Sequence, residues 1–168
     1  DDVAALPGIR SAAMSSFLPV PGDRMLARLS VPGSDDELVV AASFDVSADY
    51  FTTLGTGILA GRAFTTAEQY DPPAAGRGVV LGAATARALF GDGEAVGRFI
   101  DVRGFTGATR QPVIGVAEDV RLDARDDVVP VVYQPLGAAG MSLGYVLVRS
   151  SLPPAQTERI IADALGRI

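Results

Sequence analysis

The sequence predicts a mixed α+β fold with two lobes, the outer one built from both ends of the chain. Candidate strands lie at both ends of the sequence, and a compact strand–helix–strand–strand unit lies between Arg77 and Ala117. The 19 Gly and 11 Pro residues indicate many turns, and 48% apolar residues exclude a disordered chain. With 168 residues, the chain suffices for one ordinary domain or for two small lobes that share a core.

Short apolar runs bounded by Gly, Pro or acidic turns predict the strands. In chain order these runs are Ile9–Phe17, Arg24–Val31, Leu38–Val46, Arg77–Leu81, Arg98–Arg103, Gln111–Ala117, Val128–Tyr133 and Leu143–Arg149. Arg24–Val31 alternates apolar and polar side chains, as in a half-buried strand, and is expected to form a hairpin with Leu38–Val46. Val120–Leu122 is expected to continue in an extended conformation.

End signals predict the helices. Residues 1–6 have the pattern of a helix tail that ends at Pro7, and Ala83–Phe90 is an Ala-rich helix followed by glycines. Ser151 is the expected N-cap of the last helix, whose first turn contains two prolines, where missing amides cost little. The predicted buried stripe of this helix is Ile160, Ile161, Ala164, Leu165 and Ile168.

Val46–Phe64 is the most informative segment, and it predicts packing and turns. Ser47 is the expected N-cap of a short helix, Asp49 favours the positive end of that helix, and Gly55 ends it in a left-handed conformation. The apolar face of this helix is predicted to consist of Tyr50, Phe51 and Leu54.

A glycine turn follows this helix. Gly61 and Arg62 mark the turn before Phe64, and the Pro-rich residues 65–78 are predicted to form a connector. Arg62 could bind an anion, but an arginine that braces a turn carbonyl or pairs with an acid is the commoner arrangement. Aromatic side chains at the spacing seen here are usually core, although they could also line a pocket.

Composition and charge exclude several functional classes. The net charge is −6 and every basic residue is Arg, which argues against nucleic acid or anionic lipid as the main partner. The chain has no Cys and no His, so disulfides, thiol nucleophiles, Ser–His catalysis and nearly all zinc sites are excluded. Without Lys, a Walker-type phosphate loop is also excluded.

Two features bear on the membrane. Val128–Val148 contains no charged residue and is long enough to span a bilayer, but its prolines and glycines predict two strands with a Gly-rich connection instead. The chain does not begin with Met and shows no signal pattern, so we expect it to be a segment of a longer protein.

The remaining candidate sites are weak. Gly91–Gly97 superficially resembles a dinucleotide loop, but its last glycine comes one residue late and it follows a predicted helix, so it is interpreted as a turn. Gly137–Gly144 is interpreted as a hairpin tip. Asp123, Asp126 and Asp127 lack the spacing of a calcium loop and are interpreted as a solvated loop. We therefore predict no catalytic, cofactor-binding or metal-binding residue.

An ordered set of motifs connects these segments and covers nearly the whole chain. It resembles the MacB-like periplasmic core domain of FtsX-type ABC transporter permeases. The motifs are Leu6-Pro-Gly8, Val46-Ser-x-Asp-Tyr-Phe-x-x-Leu-Gly, Leu59-x-Gly-Arg-x-Phe64, Val79-Val-Leu81, Ala86-x-x-Leu-Phe-Gly91, Ala95-Val-Gly97, Ile114-Gly-Val116, Asp119-Val-Arg121 and Val132-Tyr-x-Pro135.

The resemblance implies an extracytoplasmic, periplasmic domain of an inner-membrane permease, inserted between its first two transmembrane helices and without an active site or cofactor. It implies a porter-like α/β lobe, residues 1–64 and 123–168, and a smaller inserted α/β lobe, residues 65–122. The expected partners are the transmembrane helices of the same permease, a separate ATPase domain or subunit, and a periplasmic adaptor or lipoprotein. The isolated domain is expected to be a monomer.

The leading hypothesis is a non-enzymatic domain that transmits ATP-driven motion and contacts a partner or substrate. The apolar face of the final helix, with Ile161, Leu165 and Ile168, is expected to help fix the lobe to the membrane stem. The alternative is a small-molecule or lipid-binding extracytoplasmic module with its site in the cleft between lobes. A hydrolase that uses paired carboxylates is the least favoured class, because no pair stands out.

Overall fold

The computed structural model describes residues 3–20, 22, 25–34, 38–70, 77–104, 107–121, 128–137 and 144–166. The strands in this part of the chain are β1 (Ile9–Ser15), β2 (Met25–Ser30), β3 (Val39–Val46), β4 (Ile58–Gly61), β5 (Val79–Gly82), β6 (Phe99–Gly104), β7 (Gly107–Ala117), β8 (Val131–Pro135) and β9 (Tyr145–Ser150). The helices are α1 (Tyr50–Leu54), α2 (Thr66–Tyr70), α3 (Ala83–Phe90) and α4 (Pro154–Leu165). The fold is therefore mixed α+β, as predicted.

Six strands close into a ring. The hydrogen-bonded order is β2, β6, β7, β5, β8 and β3, and β3 pairs again with β2. The β3–β8 and β5–β7 pairs are parallel, whereas the other pairs of the ring are antiparallel. Outside the ring, β1 joins the end of β3 and pairs along its length with β9, and β4 pairs with β7.

Alternating side chains divide the core into two clusters. On β3, Ala41 points into the ring while Phe44 points to its outer side, because successive side chains of a strand face opposite ways. The cluster inside the ring consists of Ala27, Leu29, Ala41, Val79, Leu81, Ala95, Ile100, Val102, Val113 and Val132. The second cluster, between the ring, α1 and β1, consists of Ala13, Ala42, Phe44, Val46, Tyr50, Phe51, Phe64, Val80, Ala117, Val131 and Tyr133.

Most predicted elements are confirmed within a few residues. The predicted hairpin is the antiparallel β2–β3 pair, and α3 has the predicted bounds. Gly55 ends α1 with φ of 75°, and its N–H is donated to the carbonyl oxygens of Phe51 and Thr52. This left-handed ending agrees with the prediction, because a glycine adopts it without steric cost.

Both predicted N-caps are wrong. Helix α1 begins at Tyr50, and the Ser47 hydroxyl instead accepts the backbone N–H of Met14 on β1 at 2.9 Å. The residue before α1, Asp49, makes no side-chain capping bond. Helix α4 follows Pro153, while Ser151 lies before it and bonds to the N-terminal segment. In each case the hydroxyl finds a long-range backbone partner, which local sequence patterns do not reveal.

Other differences concern segment ends and burial. Residues 3–8 form turns instead of a helix tail, and the predicted connector contains helix α2 before it passes outside the described residues. Residues 118–121 belong to no strand. On α4, Thr157 is the buried side chain and Ile160, Ile161 and Ala164 are only half-buried. The side chain of Leu165 and all of Ile168 lie outside the described part.

The chain's long apolar segment forms strands. The described parts of residues 128–148 contain β8 and β9, in agreement with the prediction. Among the described residues, no helix is both long and apolar enough to cross a membrane. The division at residues 65 and 123 into two lobes stays a prediction, and the pairs β2–β6 and β5–β8 connect strands of one predicted lobe with strands of the other.

Candidate functional site

The two terminal segments of the described chain meet at one backbone carbonyl. Ile9 on β1 lies opposite Ser150 on β9. The carbonyl oxygen of Gly8 accepts the Ser151 N–H at 2.9 Å, the Ser150 hydroxyl at 3.1 Å and the Ser151 hydroxyl at 3.2 Å. We call the residues that join the two segments, Gly8, Ser150, Ser151, Leu152 and Thr157, the chain-end clamp.

Helix α4 is tied to this clamp at its first turn. The buried Thr157 hydroxyl donates to the Ser150 hydroxyl oxygen at 2.9 Å, and the Leu152 N–H also donates to that oxygen at 3.0 Å. Gly8 has φ of 82°, and a Cβ there would overlap the side chain of Leu152. Both the backbone conformation and the close packing therefore favour glycine. The motif Leu6-Pro-Gly8 contains one half of the clamp, whereas sequence reasoning missed Ser150 and Thr157.

Helix α1 packs its aromatic side chains onto the sheet. Phe51 contacts Tyr133 at 5.0 Å between ring centroids and at 74°, and it also contacts Tyr50 and Phe64. All four side chains are at most 5% exposed. The prediction that these aromatic residues belong to the core is confirmed for Tyr50, Phe51 and Phe64, and none of the four rings lines either of the two cavities described below.

Two buried hydroxyls in this aromatic cluster lack hydrogen-bond partners among the described residues. They belong to Tyr50 and Tyr133, whose rings are 5.7 Å apart. Burial raises the pKa of Tyr50 to about 12, and burial, followed by the nearby Tyr50 and Asp119, raises the pKa of Tyr133 further. Both phenols therefore stay protonated at any physiological pH, and their rings pack within the aromatic cluster.

Arg62 forms the predicted brace. Its guanidinium donates two bonds of 2.9 Å to the Glu68 carboxylate on α2 and a third of 3.1 Å to the Ala63 carbonyl oxygen. Glu68 also accepts the N–H and the hydroxyl of Thr65. The pKa of Glu68 falls to about 2, first because of the Arg62 hydrogen bonds and against the effect of burial. The turn after Gly61 is thus tied to α2, and both expected roles of Arg62 occur together.

Glycines permit a close backbone approach on the other side of this turn. Gly61 has φ of 69°, and a Cβ there would overlap the carbonyl oxygen of Ile114 on β7. A Cβ at Gly115 would in turn overlap the carbonyl oxygen of Arg62. The Arg62 N–H donates to the Ile114 carbonyl oxygen at 3.0 Å. The paired glycines let β4 lie against β7 at this point.

A chain of polar side chains crosses one end of the ring. The Gln111 amide donates to the Thr109 hydroxyl and to the Gln134 amide oxygen, both at 3.0 Å, and the Gln134 amide donates to the Ser43 hydroxyl at 3.2 Å. Beside it, burial raises the pKa of Asp45, and Arg77 partly offsets that rise. Sequence reasoning missed this chain, because its members come from three strands that meet only in the fold.

The two cavities found are small. One, of about 170 Å³, lies between β1, α2 and the N-terminal turn; the other, shallow and about 310 Å³, lies between α3, β4 and the Gly91–Gly97 segment. Drug-sized ligands occupy clefts of roughly 300–1,000 Å³ that enclose most of the ligand. Neither cavity is the enclosed cleft that a small-molecule site requires.

The structure places only some of the glycine-rich and acidic segments that the sequence offered as weak candidate sites. Gly91–Gly97 is the turn between α3 and β6, in agreement with its interpretation. Asp123, Asp126 and Asp127 and most of the Gly137–Gly144 tip lie outside the described residues. Within the described part, no group of three acidic side chains is placed to hold a metal ion.

Comparison with known proteins identifies the family. The family described as MacB-like periplasmic core domain matches residues 1–164. The chain belongs to this family. It is therefore an extracytoplasmic domain of an ABC transporter permease, as the motifs from Leu6 to Pro135 implied.

A relative among characterised proteins supports this MacB-like assignment. The macrolide export ATP-binding/permease protein MacB 1/2 of Paracoccus denitrificans (strain Pd 1222) is 32% identical over 130 residues. That match covers 73% of this chain and 18% of the relative. The chain thus corresponds to a small part of that protein's length.

Solved structures share the MacB-like fold. The periplasmic region of MacB from Actinobacillus actinomycetemcomitans has a TM-score of 0.69 at 19% identity, covering 98% of this chain and 69% of that one. The extracellular domain of the noncanonic ABC-type transporter YknZ from Gram-positive bacteria has a TM-score of 0.64 at 16% identity, covering 98% and 81%. A domain of a putative permease protein from Porphyromonas gingivalis has a TM-score of 0.62 at 13% identity, and the match covers 97% of this chain and 72% of that one.

Proposed function

We propose that the chain is a non-enzymatic domain that transmits ATP-driven motion of its permease and contacts a partner or substrate outside the membrane. The ATP would be hydrolysed by a separate domain or subunit, and the domain would move largely as a rigid body with the transmembrane helices. The porter-like and inserted lobes, with the boundaries given above, are part of this proposal.

The chain-end clamp is the observation that carries the proposal. A domain inserted between two membrane helices is moved through its two ends, so those ends must be joined if it is to move as one body. Here Gly8 is bonded to Ser150 and Ser151, and Thr157 ties α4 to the same point. The antiparallel β1–β9 pair then connects the clamp to the ring through β3.

The aromatic cluster and the Arg62–Glu68 pair support rigid transmission beyond the clamp. Helix α1 contacts both β1 and β9, and Arg149 on β9 donates to the Thr53 carbonyl oxygen of α1 at 2.9 Å. A displacement of the terminal strands would therefore be passed to α1 and to the aromatic cluster through direct contacts.

A flexible insertion tests the coupling. We would insert about four glycines between Ser151 and Leu152 in the full transporter, a length that behaves as flexible chain. A dye would be attached at Asp92→Cys in a version of the transporter with no other cysteine; the 168-residue chain itself contains none. Energy transfer from this dye to labelled lipid headgroups should change on ATP addition in the parent protein. In the insertion variant the change should be lost while phosphate release continues.

The same insertion between Gly33 and Ser34 is the matched control. That site lies in the β2–β3 connection, and Gly33 is exposed with no heavy atom within 4 Å of a Cβ built on it. This control should retain the ATP-dependent change. An unchanged signal in the clamp insertion, with the parent responding normally, would contradict transmission through the clamp.

A further inference from the structure

Three arginines share the outer surface of the ring. Arg28 on β2 lies directly opposite Arg103 on β6, and Arg110 on β7 lies opposite Asp101 on β6. Their neighbours Leu29, Val102 and Gln111 point inward and are buried, so these four charged side chains point outward. We call Arg28, Arg103, Arg110 and Asp101 the arginine face.

The charges of this face are not balanced within it. Asp101 is held by Arg110 through bonds of 2.9 and 3.3 Å, and this contact lowers the pKa of Asp101. Arg28 and Arg103 form no ion pair with another residue in the part described, although they face each other across two strands. Like charges in directly opposite positions destabilise a sheet.

Exposed apolar side chains border these charges. Val40 lies opposite Arg28 on β3 and is 48% exposed, and Leu26 on the same face of β2 is 56% exposed. Phe99 begins β6 at the other border of the face and is 49% exposed. Guanidinium groups bordered by apolar and aromatic side chains have the composition of a protein-binding surface.

We propose that the arginine face docks an acidic segment of a partner protein. The proposal deepens the proposed function and rests on it, because it names the surface and the chemistry of the partner contact. A carboxylate placed between Arg28 and Arg103 would be bound by two guanidinium groups and would remove their repulsion. Val40 and Phe99 would contact apolar side chains that flank the acidic ones.

Charge and position favour a protein over a polyanionic surface. The whole chain carries −6, so an extended anionic membrane or nucleic acid would be repelled by most of the molecule while it contacted this small basic face. In the sheet, the arginine face is separated by β3 from β1 and β9, which lead to the chain-end clamp. A short acidic segment contacts only the small area around the three arginines, so it experiences less of this long-range repulsion than an extended polyanion.

A peptide of about ten glutamates is the probe, titrated into the 168-residue chain at about 50 mM salt, where screening is limited. Titration calorimetry gives the affinity, and backbone amide shifts locate the contact. The double variant Arg28→Gln/Arg103→Gln should weaken binding at least about tenfold, because it removes two charge-assisted contacts and the loss of even one corresponds to about that factor. This double variant is folded if its unfolding midpoint equals or exceeds that of the parent, as removal of the repulsion between Arg28 and Arg103 predicts.

The control is Arg10→Gln/Arg87→Gln, which makes the same change in net charge at two exposed arginines elsewhere. It should change the affinity by less than about twofold, since only long-range attraction is lost. Equal losses in both double variants, shifts away from β2, β6 and β7, or binding to phosphatidylglycerol vesicles but not to the peptide would each overturn the proposal. Such results would leave the insertion experiment on the clamp unaffected.

Discussion

Replacement of Gly61 by alanine should destabilise the domain more than any other small-residue exchange at its turns. At Gly61 two effects act together: φ is 69°, and a Cβ would overlap the backbone carbonyl oxygen of Ile114 and lie 3.0 Å from the Gly115 Cα. The overlapped atoms are backbone, so no side-chain rotation relieves the contact. The strand β4 must move away from β7.

The loss of folding free energy caused by Gly61→Ala has two contributions, one from the backbone conformation and one from the displaced strand. A left-handed conformation costs a residue with a Cβ about 1–2 kcal/mol. Displacing β4 weakens its hydrogen bonds to β7, including the one from the Arg62 N–H to Ile114, at a net cost of about 1 kcal/mol each. We expect a total loss of about 3–5 kcal/mol, a large part of the 5–15 kcal/mol that is typical of a domain.

Two other glycines allow the conformational cost and the close-approach cost to be measured separately. Gly97 has φ of 84° but no heavy atom within 4 Å of a Cβ, so Gly97→Ala should cost only the conformational 1–2 kcal/mol or so. Gly115 has no positive φ, but its Cβ would overlap the Arg62 carbonyl oxygen, so Gly115→Ala reports the close approach alone. Urea unfolding measures all three. If the loss in free energy of unfolding caused by Gly61→Ala is within about 1 kcal/mol of the loss caused by Gly97→Ala, the close approach of the two strands does not contribute as argued.

Two further predictions concern the aromatic cluster and the brace. Tyr133→Phe should leave stability unchanged or raise it, because its buried hydroxyl has no partner among the described residues; a loss above about 1 kcal/mol in urea unfolding would reveal a partner. Because folding lowers the pKa of Glu68 from 4.5 to about 2, its ionisation contributes stability above pH 4.5 that is lost as the pH falls towards 2. Glu68→Gln should therefore be less stable than the parent at pH 7 and nearly equal to it at pH 2, and parallel pH profiles would contradict this.

Local signals predicted the elements that depend on neighbouring residues. The bounds of α3 and the left-handed ending at Gly55 follow from chain composition and from glycine's freedom at positive φ, and both are confirmed. The N-caps assigned to Ser47 and Ser151 were wrong because each hydroxyl has a distant backbone partner, Met14 on β1 for Ser47 and Gly8 in the N-terminal turn for Ser151. A hydroxyl that can cap a helix can equally accept or donate elsewhere, and only the packing decides.

In the candidate site, too, contacts between residues near in sequence were predicted, whereas contacts between distant segments were not. The Arg62 brace was predicted as the commoner arrangement for an arginine at a turn, and the acid it pairs with in the structure, Glu68, lies only six residues along the chain. The clamp partners Gly8 and Ser151 are 143 residues apart, and Arg28 and Arg103 come from strands joined only by the ring. No periodicity or spacing encodes which strands pair across such distances, because that choice depends on how the whole core closes.

The sequence by itself determined the family, the mixed α+β class and the absence of residues for histidine, cysteine or lysine chemistry, since these follow from ordered motifs and composition. The tertiary structure alone decided that six strands close into a ring, that the N-terminal turn meets the segment before α4 at Gly8, and that Arg28 and Arg103, which form no ion pair among the described residues, share one surface. The reason is physical: each of these features depends on strand order and register, which are set by the joint burial of two apolar clusters and not by any local run of residues.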